Sequence, residues 1–290
     1  MLPKISVVTP SYNYAPFLEE CICSVVSQAY PNIEYAIIDG GSSDGSVDII
    51  RKYENRIAFW VSEPDSGQYA AINKGFAATS GEIMAWLNAD DKYTPWAFQV
   101  IGELFAVFPE IEWLTSRYPI RWDHTGRAVE CSYVEGYSRE AFLRGEYLPG
   151  QTWYARGYIL QESTFWRRTL WEKAGNHVDS SLRMAADFDL WARFFQHADL
   201  VAVNTPLGGF RSHPNQKTAR FMDQYSLEAK AVLRKYGWKP SGRLSSYVRT
   251  RLFSRTPRRL KRLFNSIGLS SVYRICEYSV DQSRWELTIL

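Results

Sequence analysis

Between residues 4 and 108 short apolar runs and stretches of helical period take turns along the chain: KISVVTP, APFLEECICSVVSQ, IEYAIID, SVDIIRKYEN, IAFWVSE, QYAAINKGFAATS, EIMAWLN and TPWAFQVIGELFAVF. Strands and helices in this order predict a mostly parallel sheet with helices on both faces. Ligands of such sheets bind beyond the carboxyl ends of the strands. The segments that leave the four strands, TPSYN, DGGSSDGS, SEPDSGQ and NADD, are rich in Asp, Ser, Asn and Gly, and the topology would gather them along one edge.

The last segment sets two adjacent carboxylates, Asp90 and Asp91, at the mouth of a buried strand. They are not needed to start the following helix, because Thr94 and Pro95 already supply an N-cap and a first-turn proline. Like charges side by side repel unless a cation joins them, and a divalent cation prefers oxygen ligands. Asp39 ends the run YAIID before Gly40 and Gly41, where it reads either as a turn acid or as a contact to a nucleotide base or ribose. Asp44 reads as a turn residue or helix cap.

Beyond residue 110 the pattern loosens. Strands are expected in IEWLTSRYPIRW, AVECSYV and LVAVNTP, and helices in SREAFLRG, ADFDLWARFFQHA and DQYSLEAKAVLRKYG; GQTWYARGYILQESTFW and GGFRSHPNQKT read as loops. On a helical wheel Asp189 falls on a polar arc with Arg193, Gln196 and His197 and is expected to be exposed. Asp187 points with the apolar face. It is either an N-cap or a carboxylate held at a cleft as a base. His213 is a surface histidine or a metal ligand beside Asp91, and Lys217 meets either a phosphate or solvent.

The 46% hydrophobic and 22% charged fractions are those of a soluble globular chain. Its 11 Trp and 18 Tyr give aromatic surface suited to ligands with flat apolar faces. Cys21, Cys23, Cys131 and Cys276 have neither zinc nor disulfide spacing. With no leader pattern and no apolar run near 18 residues, a cytoplasmic location is expected. The net charge of +3 is uneven: residues 239 to 268 hold nine Lys and Arg and no acid, which leaves the remainder at about −6. TPRRLKRLFNSIG sets Leu260, Leu263, Phe264 and Ile267 opposite Arg258, Arg259, Lys261 and Arg262, so residues 239–290 are expected to form a basic, amphipathic helical extension. That helix would either pack on the remainder or lie on an anionic membrane surface. No nucleic-acid recognition motif accompanies the charge.

ISVVTPSYN, IIDGGSSDGS, SEPDSGQYAAINKG, LNADD, QESTFWRRTLWEKAG and AADFDLW, in this order over about residues 4 to 235, together resemble the family 2 glycosyltransferases. The resemblance implies a GT-A fold, Rossmann-like, in one domain over residues 1–238, with a nucleotide-binding half (1–110) and an acceptor-binding half (111–238). It implies inverting transfer from a nucleotide-diphosphate sugar, a UDP-sugar by preference, to a glycan or lipid-linked acceptor, with Mg²⁺ or Mn²⁺. By the same resemblance Pro10, Ser11, Tyr12 and Asp39 line the nucleotide pocket, Asp65 and Lys74 lie near base and phosphates, and Asp90 lies toward the ribose. Asp91 and His213 would hold the metal, Asp187 is the general base, and Gln161, Glu162 and Trp191 belong to acceptor recognition. Gly40, Ala186 and Glu162 depart from the family, where a second acid, a Glu and a Pro are common. The competing readings are a nucleotidyltransferase and an inactive carbohydrate-binding homologue.

Overall fold

The computed structural model describes residues 2–148, 157–240 and 273–289. The first half follows the alternation: β1 (Ile5–Ser11), α1 (Ala15–Val26), β2 (Ile33–Asp39), α2 (Ser46–Lys52), β3 (Phe59–Ser62), α3 (Gln68–Ala77), β4 (Ile83–Trp86), β5 (Lys92–Tyr93) and α4 (Ala97–Val107). Then come β6 (Trp113–Ser116), β7 (Ile120–Trp122), β8 (Ala128–Cys131), α5 (Arg139–Leu143), β9 (Phe165–Arg167), α6 (Arg168–Lys173), α7 (Ala186–Phe194), β10 (Val201–Val203), β11 (Gly208–Arg211), α8 (Lys217–Lys235), β12 (Arg274–Ser279) and β13 (Arg284–Ile289).

Nine strands form one sheet in the order β13-β12-β10-β6-β9-β4-β1-β2-β3, and β5-β11-β7-β8 form a smaller one. In the large sheet β9 runs antiparallel to β4 and β6, and β13 antiparallel to β12; the other pairs are parallel. Residues on both sides of position 110 therefore build one sheet.

Alternate residues of each central strand enter different cores, because successive side chains point to opposite faces. Ile5 and Val7 of β1 join Tyr35 and Ile37 of β2 against α1 and α4. Val8, Ala36 and Ile38 face the other way, toward α3 and α7. The second core holds stacked indoles: Trp191 lies 6.0 Å from Trp86 at 5° and 5.6 Å from Trp113 at 26°. Helix α3 can lie on β1 only through Gly75, where a Cβ would stand 2.4 Å from a methyl carbon of Val8.

Several expectations are corrected. Thr94 does not cap α4: the helix starts at Ala97, and the Thr94 hydroxyl donates to the carbonyls of Pro206 and Leu207 instead. IEWLTSRYPIRW breaks into β6 and β7, and the two expected loops contain β9 and β11. Of the basic extension, residues 241–272, and with them the expected amphipathic helix, lie outside the described residues. The chain from 273 to 289 is not helical: β12 pairs with β10 through Val201↔Arg274 to Val203↔Cys276, and β13 covers β12.

Candidate active site

Asp39 is buried at the carboxyl end of β2, and its own loop surrounds it. Its Oδ2 accepts from the amides of Gly41 and Ser42 (3.1 and 2.8 Å) and the Ser62 hydroxyl (2.7 Å), and its Oδ1 from the Ser42 hydroxyl (2.6 Å). The turn-acid role is realised, and it binds the end of β2 to the end of β3. Pro10 and Ser11 close β1, with the Gly40 amide on the Ser11 carbonyl (2.8 Å), and Tyr12 is 60% exposed at the rim. Gly40 lets these parts close up, since a Cβ there would stand 3.2 Å from Asp65 Oδ2 and 3.3 Å from the Tyr12 ring. Asp44 accepts from Ser46 at the start of α2 and from the Ala15 amide at the start of α1 (2.9 Å).

The NADD turn lies beside β11. The Arg211 amide donates to Asp91 Oδ1 (2.8 Å), Asn88 Nδ2 lies 3.2 Å from Asp91 Oδ2, and the Gln68 amide bonds Asn88 Oδ1 (2.7 Å). His213 lies against Asp90 rather than Asp91, with Nε2 3.0 Å from Asp90 Oδ2, while its ring rests on Phe17 at 4.6 Å. Burial, then the charges of Asp90 and Glu162, push the Asp91 carboxyl well above the ordinary carboxylate range.

Arg211, for which the sequence raised no expectation, orders this region. Its buried guanidinium donates to the Asp90 carbonyl (2.6 Å) and to Glu20 of α1 (2.5 Å), and stacks over Phe17. Glu20 also holds Lys92, and against its burial these two cations keep its carboxyl below the usual range. A basic residue in a short strand is the signal that could have marked it, since a buried Arg requires a carboxylate partner.

Lys217, at the start of α8, donates to Gln68 Oε1 (3.1 Å) and feels the charges of Asp90 and Asp65. Lys74 forms an ion pair with Glu63, just after β3.

Glu162 links the two halves of the site. It sits in a 3-10 turn (Gln161–Ser163), 3% exposed, and its Oε1 has no partner. Burial pushes its carboxyl up to about 8, and the charges of Asp90 and Asp187 both add to the rise. Gln161 donates to the Trp86 carbonyl, which leaves its Oε1 unpaired, and Trp191 is buried with its Nε1 unpaired. Trp191 lines a cavity of about 20 Å³ with Tyr147, Tyr158, Ile159, Phe188 and Tyr225, room for about one water.

Asp187 stands in the first turn of α7, partly exposed, with the Tyr225 hydroxyl 3.3 Å from each of its carboxylate oxygens. Burial raises its carboxyl to about 6, against hydrogen bonds from the Phe188 amide and Tyr225, and the charge of Glu228 adds to the rise. Asp189 is not exposed as the wheel predicts. It is 3% exposed, 2.8 Å from Arg193 and 4.0 Å from Lys235 of α8, because a second helix covers that arc.

Residues 6–126 match the family described as glycosyl transferase family 2. An uncharacterized glycosyltransferase of Mycobacterium tuberculosis (strain CDC 1551 / Oshkosh), MT1564, is 40% identical over 215 residues, 72% of this chain and 75% of that protein. A putative teichuronic acid biosynthesis glycosyltransferase of Bacillus subtilis (strain 168), TuaG, is 39% identical over 94 residues, 31% of this chain and 37% of that one. Among solved structures, TarS 1-349 of S. aureus in complex with UDP-GlcNAc has a TM-score of 0.58 at 15% identity, covering 91% of this chain and 80% of that one. The fold is that of the GT-A glycosyltransferases. The chain belongs to glycosyltransferase family 2.

Proposed function

We propose that the chain transfers a hexosyl or N-acetylhexosaminyl group, with inversion, from a UDP-sugar to a hydroxyl of a glycan or lipid-linked acceptor in surface polysaccharide synthesis. The observation that carries this reading is that α3 is bonded to both sides: Gln68 donates to Asn88 of the NADD turn (2.7 Å) and Tyr69 to the Met184 carbonyl just before α7 (2.7 Å), which supports a single site for the nucleotide-side acids and the Asp187 carboxylate. The TarS complex with UDP-GlcNAc supports the donor class, and the teichuronic acid enzyme's name supports the acceptor class.

The residues fit a divalent cation. The charges of Asp90 and Glu162 raise the proton affinity of Asp91, and the charge of Asp90 raises that of Glu162, while the guanidinium of Arg211 is spent on Glu20 and the carbonyls of Asp90 and His124. An oxygen-rich, under-neutralised set with one imidazole suits Mg²⁺ or Mn²⁺. Asp91 and His213 would hold the ion, with Asp90 toward the ribose, and the ion when bound would neutralise the departing diphosphate. Among the described residues no group of three or more His, Cys, Asp or Glu is already gathered in ligating positions.

Pro10, Ser11, Tyr12, Asp39 and Asp65 take the nucleoside, and Lys74 or Lys217 the phosphates. Asp187, ionised above about pH 6, accepts the proton of the acceptor hydroxyl as it attacks the anomeric carbon. Gln161, Glu162 and Trp191 bind the acceptor side. The basic residues of 239–268 draw the enzyme to an anionic membrane surface, placing it as a peripheral protein on the inner face of the plasma membrane; no described helix is long and apolar enough to cross a membrane.

A thermal-shift panel of nucleotide sugars with and without Mn²⁺ tests the donor and the ion, since a ligand of the native state raises its melting temperature. Asp187→Asn is expected to lower transfer at least 100-fold while donor binding persists. Equal loss of both would make Asp187 structural.

A further inference from the structure

Three side chains of helix α8 hold the helix that carries Asp187. Tyr225 points its hydroxyl at both carboxylate oxygens of Asp187. One turn on, Glu228 accepts from the amides of Met184 (2.9 Å), Ala185 (2.9 Å) and Arg183 (3.3 Å). These amides belong to the run entering α7, whose N-cap residue, Ala185, has no side chain able to cap. Lys235 reaches Asp189. Tyr225, Glu228 and Lys235 share a face, being spaced by three and seven residues.

We propose that Tyr225 and Glu228 are positioning residues for the reaction: Glu228 caps α7 from a neighbouring helix and fixes its first turn, and Tyr225 fixes the rotamer of the Asp187 carboxylate within it. The carboxylate that satisfies the amides before α7 comes from α8. The bond to the Ala185 amide satisfies a donor that the helix leaves open, those to Met184 and Arg183 tie down the run entering it, and the hydroxyl stabilises the ionised, proton-accepting form of Asp187. The groups that face Asp187 are Tyr225 and Glu228 from α8, Tyr69 from α3, Glu162 from the 3-10 turn and the Phe188 amide of α7. Tyr225 lowers its proton affinity and Glu228 raises it. This inference rests on the reading of Asp187 as the base.

The test is a carbon-13 NMR titration of the Asp187 carboxyl in the full chain, assigned with Asp187→Asn, beside UDP release from UDP-GlcNAc with Mn²⁺. Tyr225→Phe should move the Asp187 midpoint to higher pH, and Glu228→Gln should move it to lower pH. Tyr225→Phe and Glu228→Ala should each lower kcat about tenfold with donor KM unchanged, and Glu228→Gln, which keeps an acceptor for the amides, should restore most of the rate lost in Glu228→Ala. Midpoints that stay put, or that move the same way in both variants, overturn the positioning role. If the midpoints diverge as expected while Asp187→Asn still releases UDP, the base reading fails and the positioning of the carboxylate stands. A flat titration with an inactive Asp187→Asn has the opposite meaning.

Discussion

Glu162 is held where its charge is disfavoured, buried and in the fields of two other acids. The effect on stability has a definite sign. An acid whose proton affinity is higher in the folded state than in the unfolded chain costs stability once pH exceeds the unfolded value, and the loss grows until pH passes the folded value. With the folded value at about 8, the metal-free protein is expected to lose melting temperature steadily between about pH 5 and 8. Glu162→Gln should flatten that decline when both proteins are melted in EDTA across this range; parallel curves would show that the carboxyl is relieved by some other contact. The same residue shows what the sequence could and could not disclose. Its place in QESTFW marked it as unusual, but its burial depends on segments far off in the chain, among them Trp86, whose carbonyl holds the neighbouring Gln161 across 75 residues. Asp39 was legible because its partners, Gly41 and Ser42, are its immediate neighbours. Asp189 was not, because Lys235 and the helix that carries it come from elsewhere.

Elements were legible where burial imposes a pattern on neighbouring residues. Strands β1, β2 and β4 read as apolar runs because both of their faces are covered, β3 at the sheet edge is only partly buried, and the helices between them read from the period of their apolar stripes. Strands β9 and β11 did not. Each has four residues or fewer, β11 begins with two glycines, and their pairing depends on distant segments. The contact of α3 with β1 gives a test at this scale. Gly75→Ala drives a methyl group into Val8, and overpacking of this kind costs about 1–3 kcal/mol, to be read from the midpoint of urea unfolding. An unchanged midpoint would mean that α3 can rise off the sheet. Because α3 also presents Gln68 to Asn88, the variant is expected to weaken donor binding as well as stability.

For the molecule as a whole, the strands within residues 273–289 belong to the sheet and not to a helical extension. Ending the chain at residue 272 would strip β10 of one of its two strand partners and uncover an edge whose Val201, Ala202 and Val203 are fully buried. Exposed apolar edges associate, so size-exclusion chromatography should show aggregation, and a monodisperse, equally stable truncate would refute this account. Membrane attraction is therefore better tested by substitution within the intact chain. Replacing Arg258, Arg259, Lys261 and Arg262 with Gln should abolish co-sedimentation with anionic liposomes while leaving melting unchanged; sedimentation that persists would remove the membrane from the reading. Every residue from 204 to 273 lies between β10 and the strand that completes it. At about 5–20 residues per second on the ribosome, β10 emerges several seconds before its neighbour, so the nascent chain must shield an open hydrogen-bonding edge through that interval.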